Sequence, residues 1–430
     1  MNIFIKLTKI IIKIIFPEKV GNSFIYKSVK TKNILTSTKE LKLLFYVLTL
    51  PFNLIISFAI AFLKIILVWI LPVSIYGNLK YLFEQLYNDI SVRQMSIDLA
   101  YKRLKLCYQI FAKGNEKSIT CGENHPDCVF YVIRPYYYMQ RNELTLNVSN
   151  LMVHYYRVLE HVAYAVEKGW IPVVDWENYG PFPHEEAYAI NGTKNCWEYY
   201  WNQPSEYSLQ EVYQSKNVVL SVRNVMDVPF LPSAFFKPPL QKQAQAYAAL
   251  CPKYDQLISR NCYTENYINE KQKLIFPLGG RILGVSIRGT AYGVDKSSTN
   301  IQGHPVQPDL TTLIKEIEKY MIEWNMEYVF IACELESVIE IIKCKFGEKV
   351  LNLPRLRYKK SPKRGDVEKG LDPLYVPGQK YQTNLDYLTE MVLLSRCTAL
   401  LAAMSSGVRV AIIWNNCRYE NMKIFENGLW

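Results

Sequence analysis

The stretch GVSIRGTAYG, Gly284 to Gly293, sets one arginine, Arg288, directly after an apolar strand-like run and ahead of small, loop-forming residues. A guanidinium stays charged in proteins, and its planar fork of donors matches phosphate oxygens. Gly289 lets a ligand or a backbone come close. A second stretch, TALLAAMSSG, ends a strand-like run in Ser405, Ser406 and Gly407. Hydroxyl and backbone N–H donors at the start of a helix favour an anion. Arg288 and this serine turn together read as a cradle for a diphosphate. Plainer roles are open to both: Arg288 can close a salt bridge between domains, and the serines can serve as an ordinary helix N-cap.

The elements that must position these groups alternate. RILGVSIRG reads as a strand, DLTTLIKEIEKYMIEWN as an amphipathic helix starting at Asp309, and EYVFIACE as a strand tipped by Glu334. ESVIEIIKCKFG is a helix ending in glycine, KVLNL a strand, NLDYLTEMVLLSRC a helix, TALLAAMSSG a strand then a turn, and VRVAIIW a further element. This alternation predicts a doubly wound sheet, in which ligands bind at the carboxyl ends of the strands. Three tips then matter: Arg288, Glu334 and Ser405-Ser406. Upstream, CVFYVIRPYY, NLMVHYYRVLEHVAYAVEKG and WIPVVDWENYG read as strand, helix and strand, a βαβ unit with a parallel sheet. NVVLSV is a short strand in a loop-rich, aromatic region, and the polar helical stretch from PPLQKQ to QKLI reads as a bridge between the halves.

The fold class expected is therefore α/β with two Rossmann-like domains. The predicted boundaries are a basic, hydrophobic segment over 1–80, a helical connector over 81–120, an N-terminal domain with the helical bridge over 121–280, and a C-terminal domain over 281–430. The first segment carries lysine clustered with Ile and Phe in NIFIKLTKIIIKIIF, the pattern of a helix lying on a bilayer. Leu43 to Phe62 is free of charge and long enough to span, though Pro51 interrupts it. Three arrangements stand: an interfacial hairpin with the rest cytoplasmic, a single type II span, or a buried helix pair of a soluble protein.

Composition narrows the classes. A chain of 430 residues with 50% hydrophobic and 21% charged residues is globular and large enough for two or three domains. Much of the net charge of +11 sits beside the apolar N-terminal segment, which points to an anionic membrane surface and away from nucleic acid. The ten cysteines are scattered, and none forms CxxC. Cys121, His125 and Cys128 have ligand-like spacing but no fourth ligand nearby, so no metal site is expected. The chain has no DxD, no Walker loop, no GxGxxG after a strand and no GxSxG. A P-loop nucleotidase, a dinucleotide enzyme and a serine hydrolase are thereby disfavoured. With no acidic pair to hold a cation, arginine and helix dipoles are left to neutralise a departing diphosphate.

These residues carry a resemblance. Over roughly 125–430 the chain resembles the GT-B-type fucosyltransferases that use GDP-fucose: α-1,6-, nodulation and protein O-fucosyltransferases. It is closer still to glycosyltransferase-like proteins of bacterial capsule and exopolysaccharide clusters. The family's HxRRxD stands as Ser286-Ile287-Arg288-Gly289-Thr290-Ala291, its His-Pro as His304-Pro305, its acidic tip as Glu334 in ACELES. The helix, strand and serine turn stand as LTEMVLLSRCTALLAAMSSGVRVA, with Glu390, Ser405 and Ser406. YVIRP and EKGWIPVVDWENYG carry the likeness to the capsule proteins. The family's histidine, second arginine and aspartate are here Ser286, Gly289 and Ala291.

The resemblance implies a GDP-sugar donor, no other cofactor and inverting glycosyl transfer onto a glycan or lipid-linked glycan. By it, Arg288 binds the β-phosphate, Glu390 meets the guanine, and Ser405-Ser406 hold the diphosphate. Arg288, Asp295 and His304 become the candidate catalytic residues, the last two as bases. A non-catalytic scaffold that binds nucleotide or glycan is the alternative, favoured by the altered motif.

Overall fold

The computed structural model describes residues 117–134, 137–140, 143–146, 150–178, 184, 186–221, 236–249, 256–288, 303–360 and 378–429. The amphipathic and hydrophobic segment over 1–80, the connector up to 116, and Asp295 lie outside the described residues. The chain divides into two compact units, 1–108 with 137–146, and 109–136 with 147–430. Of the first unit, the antiparallel hairpin β3 (Tyr137–Gln140) and β4 (Glu143–Leu146) is described.

The second unit holds two sheets. In the first, β1 (Lys117–Ile119) is antiparallel to β6 (Ser215–Leu220). Strand β6 runs parallel to β2 (Asn124–Ile133), and β2 parallel to β5 (Ile171–Val174). Helix α1 (Leu151–Glu167) makes the crossover from β2 to β5, as its sequence predicts. Asn150 caps it by accepting from the backbone N–H of Met152 and Val153, which satisfies two of the donors a helix start leaves open. The short α2 (Leu209–Val212) precedes β6 and carries a capping box of Ser208 and Glu211.

The second sheet is fully parallel, in the order β11-β10-β7-β8-β9. Its strands are β7 (Ile282–Ser286), β8 (Tyr328–Ala332), β9 (Val350–Leu351), β10 (Ala399–Ala402) and β11 (Asn421–Ile424). The expected polar bridge forms two helices, α3 (Leu240–Ala248) and α4 (Cys262–Ile275). Between the strands run α5 (Leu310–Glu323), α6 (Glu336–Phe346), α7 (Lys380–Ser395) and α8 (Ser406–Asn415). Asp309 caps α5 as expected, accepting from Thr312 N–H at 2.9 Å.

Both faces of both sheets are covered, and the strands show it residue by residue. Phe130 and Val132 point to one core and Tyr131 and Ile133 to another. Val329 and Ile331 likewise part from Phe330 and Ala332. One core joins the inner faces of the two sheets through α1, α7 and α8 and contains Trp176, Trp197 and Trp201. The aromatic region between β5 and β6 therefore fills the interior: Trp197 and Trp201 stack with centroids 4.4 Å apart. Gly284 in β7 is required by this packing, because a Cβ there would lie 2.9 Å from Leu394 Cδ1 and 3.0 Å from Cys397 Sγ.

Among the described residues no helix is long and apolar enough to cross a membrane.

Candidate functional site

The carboxyl ends of β7, β8 and β10 open on one cleft. Its walls contain Arg288 beyond β7, Cys333 and Glu334 beyond β8, and Ser405 and Ser406 beyond β10. Glu390 and Tyr387 of α7 and Asn150 of α1 complete it with Arg355. Five residues expected from the sequence thus come together: Arg288, Glu334, Glu390, Ser405 and Ser406.

Each is held by local geometry. Arg288 leaves β7 with its backbone N–H on Gln307 Oε1 at 2.9 Å. Its Nε lies 3.3 Å from Glu334 Oε1, with the two side chains 25% and 23% exposed. Arg288 therefore does close a salt bridge, but between neighbouring strand tips of one sheet and not between domains as the plainer reading expected. Ser405 is the N-cap of α8, its hydroxyl accepting from Val408 N–H at 3.2 Å, so its capping role is also observed. Ser406 accepts instead from Asn150 Nδ2 at 3.1 Å. That bond joins the N-termini of α1 and α8, and the first turn of neither helix holds an acidic residue. Two positive helix ends without their own carboxylates favour an anion between them. Gly407 keeps the start of α8 close to α7, since a Cβ there would meet Tyr387 OH and Met391 Sδ at 2.6 Å.

Glu390 is placed differently from the residues around Arg288. Its carboxylate is 1% exposed and gives one oxygen to Arg355 Nη2 at 2.7 Å and the other to Arg357 Nη2 at 2.9 Å. Arg357 is pinned further by Cys333 O at 3.0 Å and Leu353 O at 2.8 Å. Burial, with Glu334 beside it, pushes the Cys333 thiol up to about 12, so the sulfur is protonated and inert at neutral pH.

His304 does not line the cleft. Its ring sits against Phe236, centroids 5.7 Å apart, while Pro305 bridges to Leu429. The residue of that segment that serves the site is Gln307. His125 of the Cys121/Cys128 cluster stands edge-on to Phe130 and Tyr207. Among the described residues no group of three or more His, Cys, Asp or Glu gathers as metal ligands do. Asn150, Gln307, Arg355, Arg357 and Tyr387 were not singled out by sequence. Asn150 before an apolar helical run is a readable cap. The two arginines of LPRLRY sit in a loop with no pattern to mark them.

No family model matches the chain, and no curated protein matches it. Among solved structures it is similar to NodZ α-1,6-fucosyltransferase soaked with GDP-fucose: 14% identity, TM-score 0.36, 70% of this chain and 95% of that one. It is similar to a mutant of Arabidopsis thaliana FUT1 in complex with GDP: 12% identity, TM-score 0.34, 80% of this chain and 78% of that one. It is also similar to POFUT1 in complex with GDP-fucose: 8% identity, TM-score 0.34, 71% of this chain and 100% of that one. At such TM-scores the likeness carries no weight for function.

Proposed function

We propose that the chain is a metal-independent, inverting glycosyltransferase, fucosyltransferase-like, that takes a GDP-sugar donor. Its acceptor is a membrane-linked glycan in surface polysaccharide synthesis. The observation that carries this reading is the cleft that gathers Arg288 and the N-terminus of α8, with Ser405 and Ser406, at the carboxyl ends of parallel strands. Glycosyl transfer from a nucleotide donor needs positive charge where the diphosphate departs and little other covalent chemistry from the protein. The acceptor oxygen attacks the anomeric carbon, the bond from that carbon to the diphosphate breaks, and the diphosphate leaves with the electron pair. Arg288 and the N–H groups of α8 meet the charge that develops on it. A base takes the acceptor proton. Asp295 and His304 are the proposed bases, Asp295 following Arg288 by seven residues in the chain and His304 requiring movement to the cleft.

The basic, apolar N-terminal segment supports a membrane location, with the catalytic region cytoplasmic; a type II single span is the other topology. The altered motif, with Gly289 and Ala291, and the existing hold of Glu334 on Arg288 favour one second reading, a non-catalytic nucleotide- or glycan-binding scaffold. GDP release from GDP-fucose, measured with the full chain and a lipid-linked glycan fraction, separates the two. Acceptor-dependent release that Arg288→Ala abolishes supports the transferase. GDP binding without turnover on any acceptor supports the scaffold.

A further inference from the structure

The far end of the cleft bears on which nucleotide fits, given the donor reading above on which this inference rests. Sheet order fixes the layout. The start of α8 and Arg288 follow β10 and β7, while Glu334 and Arg355 follow β8 and β9. A nucleoside diphosphate with its phosphates at α8 therefore lays its base toward the β8–β9 side. There the wall holds Glu390 with both oxygens on guanidinium groups and 1% exposure. Arg355 and Arg357 balance Glu390 and the neighbouring Glu334 in charge, and the guanidinium N–H groups of Arg355 are the donors that this wall offers. Arg355 is the member of the trio that lines the cleft beside Glu390. Besides its bond to Glu390 it reaches Leu356 O at 3.3 Å and Cys333 O at 3.5 Å, long contacts that a base can displace.

We infer that Arg355 reads the O6/N7 acceptor edge of a 6-oxopurine nucleoside diphosphate, with Glu390 as the positioning residue that holds it. The argument is one of matching shapes. A guanidinium fork pairs with two adjacent acceptors, and guanine presents O6 and N7 side by side. Adenine offers an acceptor beside a donor at the same edge, and a pyrimidine lacks the paired acceptors. A carboxylate reading the opposite edge would bond N1–H and the 2-amino group, but Glu390 has both oxygens engaged. Glu390 then does not read the 2-amino group.

The first arm of the test uses the full, unmodified chain, so folding is not at issue there. Calorimetric affinities for GDP, inosine diphosphate, 7-deaza-GDP and ADP distinguish the edges. Inosine diphosphate, which lacks the 2-amino group, should bind within about twofold of GDP. The 7-deaza analogue and ADP should bind about tenfold or more weakly. In Arg355→Lys, which keeps charge but loses the fork, the gap between GDP and 7-deaza-GDP should close. Inosine diphosphate tenfold weaker than GDP, with 7-deaza-GDP unchanged, would overturn the assignment in favour of a carboxylate reader. Equal binding of ADP and GDP would overturn it while leaving the diphosphate site standing. Failure of all four to bind would remove the donor reading and this inference together.

Discussion

The parallel strands of the two sheets end in similar residues and use them in opposite ways. Beyond β2, Arg134 turns its guanidinium onto Ser221 O at the end of β6. Beyond β5, Asp175 is buried and accepts from Tyr213 OH at 2.6 Å and from the backbone N–H of Glu177 and Asn178. Burial still holds its carboxyl above the usual range. The tips of the first sheet are closed over by their own neighbours. In the second sheet Arg288 and Glu334 reach each other at 3.3 Å, a quarter exposed, on the wall of a cleft. A closed polar tip holds the fold together; an open one is available to a ligand.

The largest effect expected of any change lies at the boundary between these uses. Glu390→Ala leaves Arg355 and Arg357, 4% and 2% exposed, without their shared counter-charge. Removing one partner of such a buried set costs about 3–5 kcal/mol, to be read as a lower denaturation midpoint at unchanged m-value. A loss below about 1 kcal/mol would mean the trio is wet and the cleft extends past it.

A smaller effect belongs to the closed half. His161 of α1 is buried beside Tyr131 OH at 2.9 Å, and burial holds its pKa down to about 3. The unfolded chain binds a proton near pH 6.5 and the folded one does not. Stability is then complete above that pH and falls with acid, by about 1.4 kcal/mol per unit at the steepest. His161→Gln should flatten that slope between pH 6.5 and 4, with nucleotide binding at neutral pH unchanged. An unaltered slope would take His161 out of the account of acid stability.

The smallest effect is at the open tip. Glu334→Gln removes the partner of an exposed ion pair and should change folding stability by less than about 1 kcal/mol. Phosphate binding should tighten severalfold, because Arg288 no longer has a competing carboxylate. Weaker binding after this substitution would make Glu334 a ligand-contacting group.

The same contrast governs what the sequence makes legible. Short apolar runs bounded by turns, and capped helices, announce themselves, so β2, α1, β5 and the run from β7 to β10 read directly. Strand β11 does not, because NMKI has only Met422 and Ile424 to alternate. VRVAIIW reads as an element of undetermined type because every residue of α8 is buried, which erases the amphipathic period that separates helix from strand. In the site, Arg288, Glu334, Ser405 and Ser406 are readable because strand ends in doubly wound sheets are where ligands bind. Arg355 and Arg357 follow a two-residue strand and acquire meaning only when folding brings them to Glu390. Asn150 reads as a cap, and only the fold shows that this cap meets Ser406.

The central claim is that the open tip at Arg288 and the start of α8 hold a diphosphate. Calorimetric titration of GDP into the full chain, wild type beside Arg288→Ala, tests it most directly, with UDP as control. Loss of a charge-assisted phosphate contact should weaken GDP binding by about 1.5–3 kcal/mol, with the variant's denaturation midpoint nearly unmoved. Equal GDP affinity in the two proteins would contradict the claim and leave Arg288 as a partner of Glu334 alone.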